Sequence, residues 1–178
     1  MFNLLKNRRS IRKYTDEKVP EDVVSILLKS ILTSPSGKNI QPWEIVYLND
    51  EDKVSKLADA KAQGAEFLSA AKQCIVILAD ESKTDVWIED VSIASTIAHL
   101  SAHALGLGSC WIQIRGRNTA DGISSEEYVR KIVGIPENIR VEAIIAFGYA
   151  AEEKRPKEEE KLKLEKVFAN EYGKRYFD

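Results

Sequence analysis

Cysteine, net charge and long apolar runs are all scarce in this chain. Of its 178 residues only two are cysteine, Cys74 and Cys110, so no disulfide framework can be built. Each lies in an apolar run and reads as a small buried thiol, which fits a reduced, cytoplasmic compartment. Lys plus Arg total 26 and Asp plus Glu total 28, a net charge of −2. That excludes a global basic field able to draw in nucleic acid, and any anion site must be a local cluster. The longest clean apolar run, Cys74–Ala79, falls far short of the about 20 residues a membrane-spanning helix needs. The N-terminal stretch Met1–Ser10 turns basic before a signal-peptide core can form. There is no internal repeat, glycine-serine linker or low-complexity boundary. With 44% hydrophobic and 30% charged residues, wholesale disorder is excluded, and the length corresponds to roughly one domain.

Periodicity sets out the elements. A short amphipathic helix is expected over 3–8. Pro20, Glu21 and Asp22 look like a helix start, and Val24, Leu27, Leu28, Ile31 and Leu32 recur at helical spacing, predicting a helix over 20–33. Ser34-Pro35-Ser36-Gly37-Lys38-Asn39 breaks it. Strands are expected at 43–48, 74–79, 109–114 and 141–149. Between them the pattern predicts a helix with its cap and first turn at Asn49–Asp52 that runs to about Ala60, a second short helix over roughly 64–73, and a long helix over 85–106 whose apolar positions wrap much of its surface. Gly106-Leu107-Gly108 ends that helix, and Ser124 or Ser125 starts another that runs to Val133. Four strands alternating with helices give an α+β or α/β layered domain over 1–150. Residues 151–178 form an extension, first dense in alternating charge, then carrying Val167, Phe168, Tyr172, Tyr176 and Phe177. Such a segment either frays or lays its aromatics on another surface.

Five clusters could carry chemistry. Arg8, Arg9, Ser10 and Arg12 offer planar cationic forks and a short neutral donor, suited to a terminal phosphate, with Arg12 left to reach a polar ring edge. The loop of Pro35, Ser36, Gly37 and Asn39 offers backbone N–H groups plus the Ser and Asn side chains as donors to a ligand's carbonyl oxygens. On its own that segment reads first as a loop closing a helix. Gly106-Leu107-Gly108 is not a P-loop, because no Gly-Lys-Ser/Thr follows, nor a dinucleotide fingerprint, because it lies between a helix and a strand in that order, and it reads as a tight turn. His99 and His103 have the i, i+4 spacing of zinc ligands, but no Glu follows His99 and no third ligand is evident, so no metal is expected. Lys154 and Arg155 add two cations after the last strand, where a solvated charge run is the plain alternative.

Taken together, the chain resembles the nitroreductase family of FMN-dependent oxidoreductases. The resemblance rests on Arg8-Arg9-Ser10-Ile11-Arg12-Lys13-Tyr14, on Ser34-Pro35-Ser36-Gly37-Lys38-Asn39-Ile40-Gln41-Pro42-Trp43, on Gly106–Ile112, and on Gly148-Tyr149 with Lys154-Arg155. It implies an α+β fold with a mixed central β-sheet flanked by helices, and an intertwined homodimer with FMN at the subunit interface. By the same resemblance, Arg8, Arg9, Ser10 and Arg12 come from one subunit. Arg8, Ser10, Lys154 and Arg155 then face the FMN phosphate, and Arg12 faces the pyrimidine edge of the ring. Pro35, Ser36, Gly37 and Asn39 come from the partner, and Trp111, Ile112 and Gln113 pass the reactive N5. The C-terminal extension wraps onto the other subunit. Many members carry a glycine or acidic-glycine pair just after this strand, where Gln113 and Ile114 stand in this chain. The short stretch between Asp50 and Gln73 implies a compact form with a different or more open pocket than in longer members.

The implied activity is ping-pong hydride transfer from NADH or NADPH, through the flavin, to a nitroaromatic, quinone or similar flat acceptor. The flavin carries the chemistry, so no side-chain nucleophile or base is required. A flavin-binding storage or sensing protein would use the same residues, and a nucleic-acid-binding protein led by Arg8–Lys13 is the third possibility.

Overall fold

Apolar alternation in the two central strands decides the layering. In β2 (Gln73–Asp80), Cys74, Val76 and Leu78 belong to one cluster of buried side chains, and Ile75, Ile77 and Ala79 to another. A strand buried on both faces requires a cover on each. A computed structural model, which describes residues 1–177, supplies both covers. The sheet contains β1 (Trp43–Leu48), β2, β3 (Gly108–Gln113) and β4 (Ile139–Gly148), in the order β1-β2-β4-β3. On one face lie α2 (Glu21–Leu32) and α4 (Trp87–Ala104); on the other lie α3 (Glu51–Lys56) and α5 (Ser125–Val133). A short α1 (Phe2–Asn7) precedes them.

All three strand pairings are antiparallel. The sheet is therefore antiparallel where a mixed one was expected, and the parallel pairing of Ser10 with Ser109 is an isolated bridge at its edge. The ladder between β2 and β4 has one irregularity. Ile77 pairs with Ala143 but Leu78 pairs with Val141, so Glu142 is an extra residue in β4, a β-bulge that re-aims its side chain.

The expected elements are present, with two local differences. The helix near 64–73 is a 3-10 turn over Glu66–Ala70, preceded by Gly64 at φ 85° whose N–H donates to the Glu66 carboxylate. Likewise α3 tightens into a 3-10 turn over Leu57–Ala60. Asp50 starts α3, its carboxylate accepting from the N–H groups of Asp52 and Lys53. The long helix buries Val91, Ala94, Ala98 and Ala102 against the sheet, while Ile93 and Val86 stay exposed in the single chain. Small residues on that face let the helix approach closely, which apolarity alone does not reveal.

Candidate functional site

The basic segment is held along the sheet edge by its backbone. The Ile11 N–H donates to the Ser109 carbonyl at 3.0 Å, and the Thr15 N–H donates to the Tyr149 carbonyl at 2.9 Å. The close approach needs a glycine on β3. A Cβ on Gly108 would lie 2.8 Å from the Ile11 Cβ. Tyr14 closes the segment, its hydroxyl donating to the Ile11 carbonyl at 2.6 Å. Burial raises the pKa of that phenol, keeping it a neutral donor.

This anchoring brings Arg8 and Arg9 to a cavity of about 240 Å³ that Lys154, His103 and Ser109 also line. Arg155 is set apart. It lines a neighbouring cavity of about 290 Å³ together with Arg9 and Lys157, and its carbonyl accepts a hydrogen bond from the Arg9 guanidinium. Arg9 therefore stands between the two cavities. Arg12 is exposed, with its guanidinium 5.9 Å from the centre of the Phe67 ring. Glu152 is a residue that sequence reasoning missed. Its carboxylate accepts from the Arg12 N–H at 2.7 Å and pairs with Lys154 at 2.7 Å. These two partners hold its pKa below the usual carboxylate value.

Ser109, in the cavity wall, is paired with the buried His99. The His99 Nδ1 lies 2.8 Å from the Ser109 hydroxyl, and its ring stacks on Trp111 with centroids 6.3 Å apart and planes 13° apart. Burial, with a smaller contribution from nearby Arg8, pushes the His99 pKa down to about 4. The imidazole is thus neutral at ordinary pH. Among the described residues no group of three His, Cys, Asp or Glu is arranged for a metal ion.

On β3, Ile112 is buried in the core, so only its main chain can face a ligand. Gln113 is fully engaged. Its Oε1 accepts from the Trp111 indole at 2.9 Å, and its Nε2 donates to the Glu142 Oε1 at 3.0 Å. Glu142, aimed by the bulge, also accepts from the Arg115 Nε at 2.6 Å. The Gln113 amide therefore fixes the Trp111 indole. A glycine does follow the strand, at Gly116 with φ 67°.

The Pro35–Asn39 loop sits elsewhere. Lys38, Asn39 and Gln41 have φ of 50°, 56° and 52°, three left-handed non-glycine residues within four positions. Such conformations cost about 1–3 kcal/mol each and persist only where surroundings impose them. In this loop the Gln41 N–H donates to the Ser36 hydroxyl at 2.9 Å, and the Gly37 N–H donates to the Asp90 carboxylate at 2.8 Å. Asp90 lies in the first turn of α4, whereas His103 lies in the last. At about 1.5 Å per residue the two are about 20 Å apart along the helix. One chain therefore gathers Arg8, Arg9, Ser10, Trp111 and Lys154 near one end of α4 and the loop near the other.

The sequence matches the model of the Nitroreductase family over residues 5–76 and 63–149. It is 32% identical, over 86% of this chain and 87% of the other, to an Archaeoglobus fulgidus protein provisionally described as an NADH dehydrogenase/NAD(P)H nitroreductase. A solved structure described as an FMN-dependent nitroreductase from Clostridium difficile R20291 superposes with a TM-score of 0.94. The two share 43% identity, over 97% of this chain and 100% of that one. A provisionally described nitroreductase from Desulfovibrio desulfuricans, solved in complex with FMN, superposes with a TM-score of 0.73 at 26% identity, over 94% and 97% of the respective chains. The chain belongs to the nitroreductase family.

Proposed function

We propose that the chain is an FMN-dependent NAD(P)H oxidoreductase of nitroreductase type, working as an intertwined homodimer. The carrying observation is the division of the site along α4: cations at one end and the Ser36–Asn39 loop at the other. A second copy reversed against the first brings the loop of one chain over the cations of the other. The relatives described as FMN-dependent or FMN-bound support the cofactor, and the relative described as an NAD(P)H nitroreductase supports the reductant.

The donor set fits FMN. Arg8 and Lys154 line one cavity and suit a phosphate dianion, and Ser10, bridged to Ser109 at the sheet edge, can add its hydroxyl, while Glu152 tempers the cationic charge. Arg155, together with Arg9, extends this cationic field in the adjoining cavity. Arg12 is free to reach the pyrimidine oxygens of the ring, where a preorganised cation stabilises negative charge. Gln113 and Trp111, locked by Glu142, form a fixed wall beside the ring, and Ile112 offers its main chain. From the partner, the loop of Pro35, Ser36, Gly37 and Asn39 lies opposite, with Ser36 and Asn39 as its side-chain donors; Pro35 has no N–H and the Gly37 N–H is held by Asp90. Bound FMN supplies the redox chemistry, taking hydride from NADH or NADPH and delivering it to a nitroaromatic, quinone or similar flat acceptor. The neutral His99 neither donates nor takes a proton near neutrality. The C-terminal extension, with Tyr172 at 95% and Tyr176 at 65% exposure, is the part of the chain that lies on the partner.

The test is the purified protein itself. It should be yellow, release a chromophore with the mass of FMN, and bleach when NADH or NADPH is added without oxygen. A colourless protein indifferent to added FMN removes this reading. Flavin that neither nicotinamide reduces would leave a storage or sensing protein. The Arg12→Ala variant should retain at least about tenfold less flavin and be reduced more slowly. Unchanged flavin content and turnover would contradict the role given to Arg12.

A further inference from the structure

A buried carboxylate is an unusual support for a surface loop. Asp90 is 2% exposed, and only its Oδ1 has a partner, the Gly37 N–H at 2.8 Å. Its Oδ2 is buried with no hydrogen-bond partner. An apolar side chain at this place would avoid stranding an oxygen, so stability alone does not explain an aspartate. Its place in the first turn of α4 eases the charge, because helix N-terminal N–H groups favour an anion. Gly37 is pressed against the same turn, where a Cβ would meet the Val86 Cγ2 at 2.9 Å. The residues after it, Lys38, Asn39 and Gln41, hold left-handed conformations that an unanchored loop would leave.

We propose that Asp90 is a positioning residue for the flavin site. Through the Gly37 amide it holds the strained loop in the shape that presents Ser36 and Asn39 to the cofactor. The inference rests on the reading that this loop contacts FMN, and goes beyond it by assigning the loop's conformation to one buried group on α4. Asp90 touches neither flavin nor substrate; it acts only through Gly37.

The test is fluorescence titration of the flavin-free protein with FMN, scored on material whose circular dichroism matches the wild type. Asp90→Ala, which leaves the Gly37 N–H unpaired, should bind FMN about tenfold more weakly. Asp90→Asn keeps an oxygen acceptor at Oδ1 and should stay within about threefold of wild type. A general packing role would not be rescued by asparagine in this way. Wild-type affinity in Asp90→Ala, or equal losses in the Ala and Asn variants, would overturn the proposal while leaving flavin binding intact. A wild-type protein that takes up no FMN would instead remove the functional reading, and this inference with it. Should Asp90→Ala not fold, Gly37→Ala tests the same contact from the loop side. Its methyl group crowds the Val86 side chain at 2.9 Å and should lengthen the Gly37–Asp90 contact, again with a loss of about tenfold expected, and unchanged affinity counts against the proposal.

Discussion

His99 shows how a single residue reports on the site. It lies between Trp111 and Ser109, and burial beside Arg8 lowers its pKa from 6.5 to about 4. The folded protein therefore resists a proton that the unfolded chain accepts. Stability is complete above about pH 6.5, falls as the pH drops towards about 4, and levels off below that. By pH 5 the loss amounts to about 2 kcal/mol from this group. Denaturant midpoints measured at pH 7 and pH 5 should differ by that much more in the wild type than in His99→Gln. An identical pH response in the two would show that the imidazole is not held neutral. The i, i+4 spacing of His99 and His103 was legible in the sequence. The serine partner and the stack on Trp111 were not, because His99 and Ser109 meet only once the turn at Gly106 folds the strand back on the helix. The same holds for Glu152 and Asp90, whose roles depend on groups far away in sequence.

The elements themselves were largely readable, since periodic burial writes itself into the chain. The four strands and the helices at Glu21–Leu32, Trp87–Ala104 and Ser125–Val133 arise from spacing, capping and glycine. What spacing could not convey was the edge geometry. Gly108 reads as a turn residue, yet its lack of a side chain serves contact with Ile11. Gly108→Ala should destabilise the protein by about 2 kcal/mol through that clash. It should also displace Arg8–Arg12 and so lower flavin retention. A fully stable, flavin-loaded variant would contradict this. Nor could spacing reveal the bulge at Glu142, since a bulge is defined by the partner strand. Glu142→Ala leaves the Arg115 guanidinium without its carboxylate and takes from Gln113 the nearest of its acceptors, the main-chain carbonyls of residues 115 and 142 remaining. With Arg115 partly open to solvent, a loss of about 2 kcal/mol is expected in chemical denaturation. An unchanged midpoint would show that the Trp111–Gln113–Glu142 chain does not rigidify β3.

At the scale of the whole molecule, the proposed flavin site draws on two copies of the chain. Exposed Ile26, Leu32, Ile93, Tyr172 and Tyr176 leave apolar surface that one chain does not cover. The length of α4 keeps the cations and the loop apart within each chain. Membership of the nitroreductase family and a TM-score of 0.94 to a structure described as an FMN-dependent nitroreductase support the cofactor in that proposal. The decisive measurement is the flavin content of a mixed dimer. One differently tagged chain carries Arg8→Ala and Arg12→Ala, the other Ser36→Ala and Asn39→Ala, and the heterodimer is isolated through both tags. If each site draws cations from one copy and the loop from the other, one site carries every defect and its twin carries none. The heterodimer should then hold about half the FMN of the wild type although both parent homodimers are nearly empty. A heterodimer as empty as its parents would mean that each chain builds its own site, and the shared-site arrangement would be wrong.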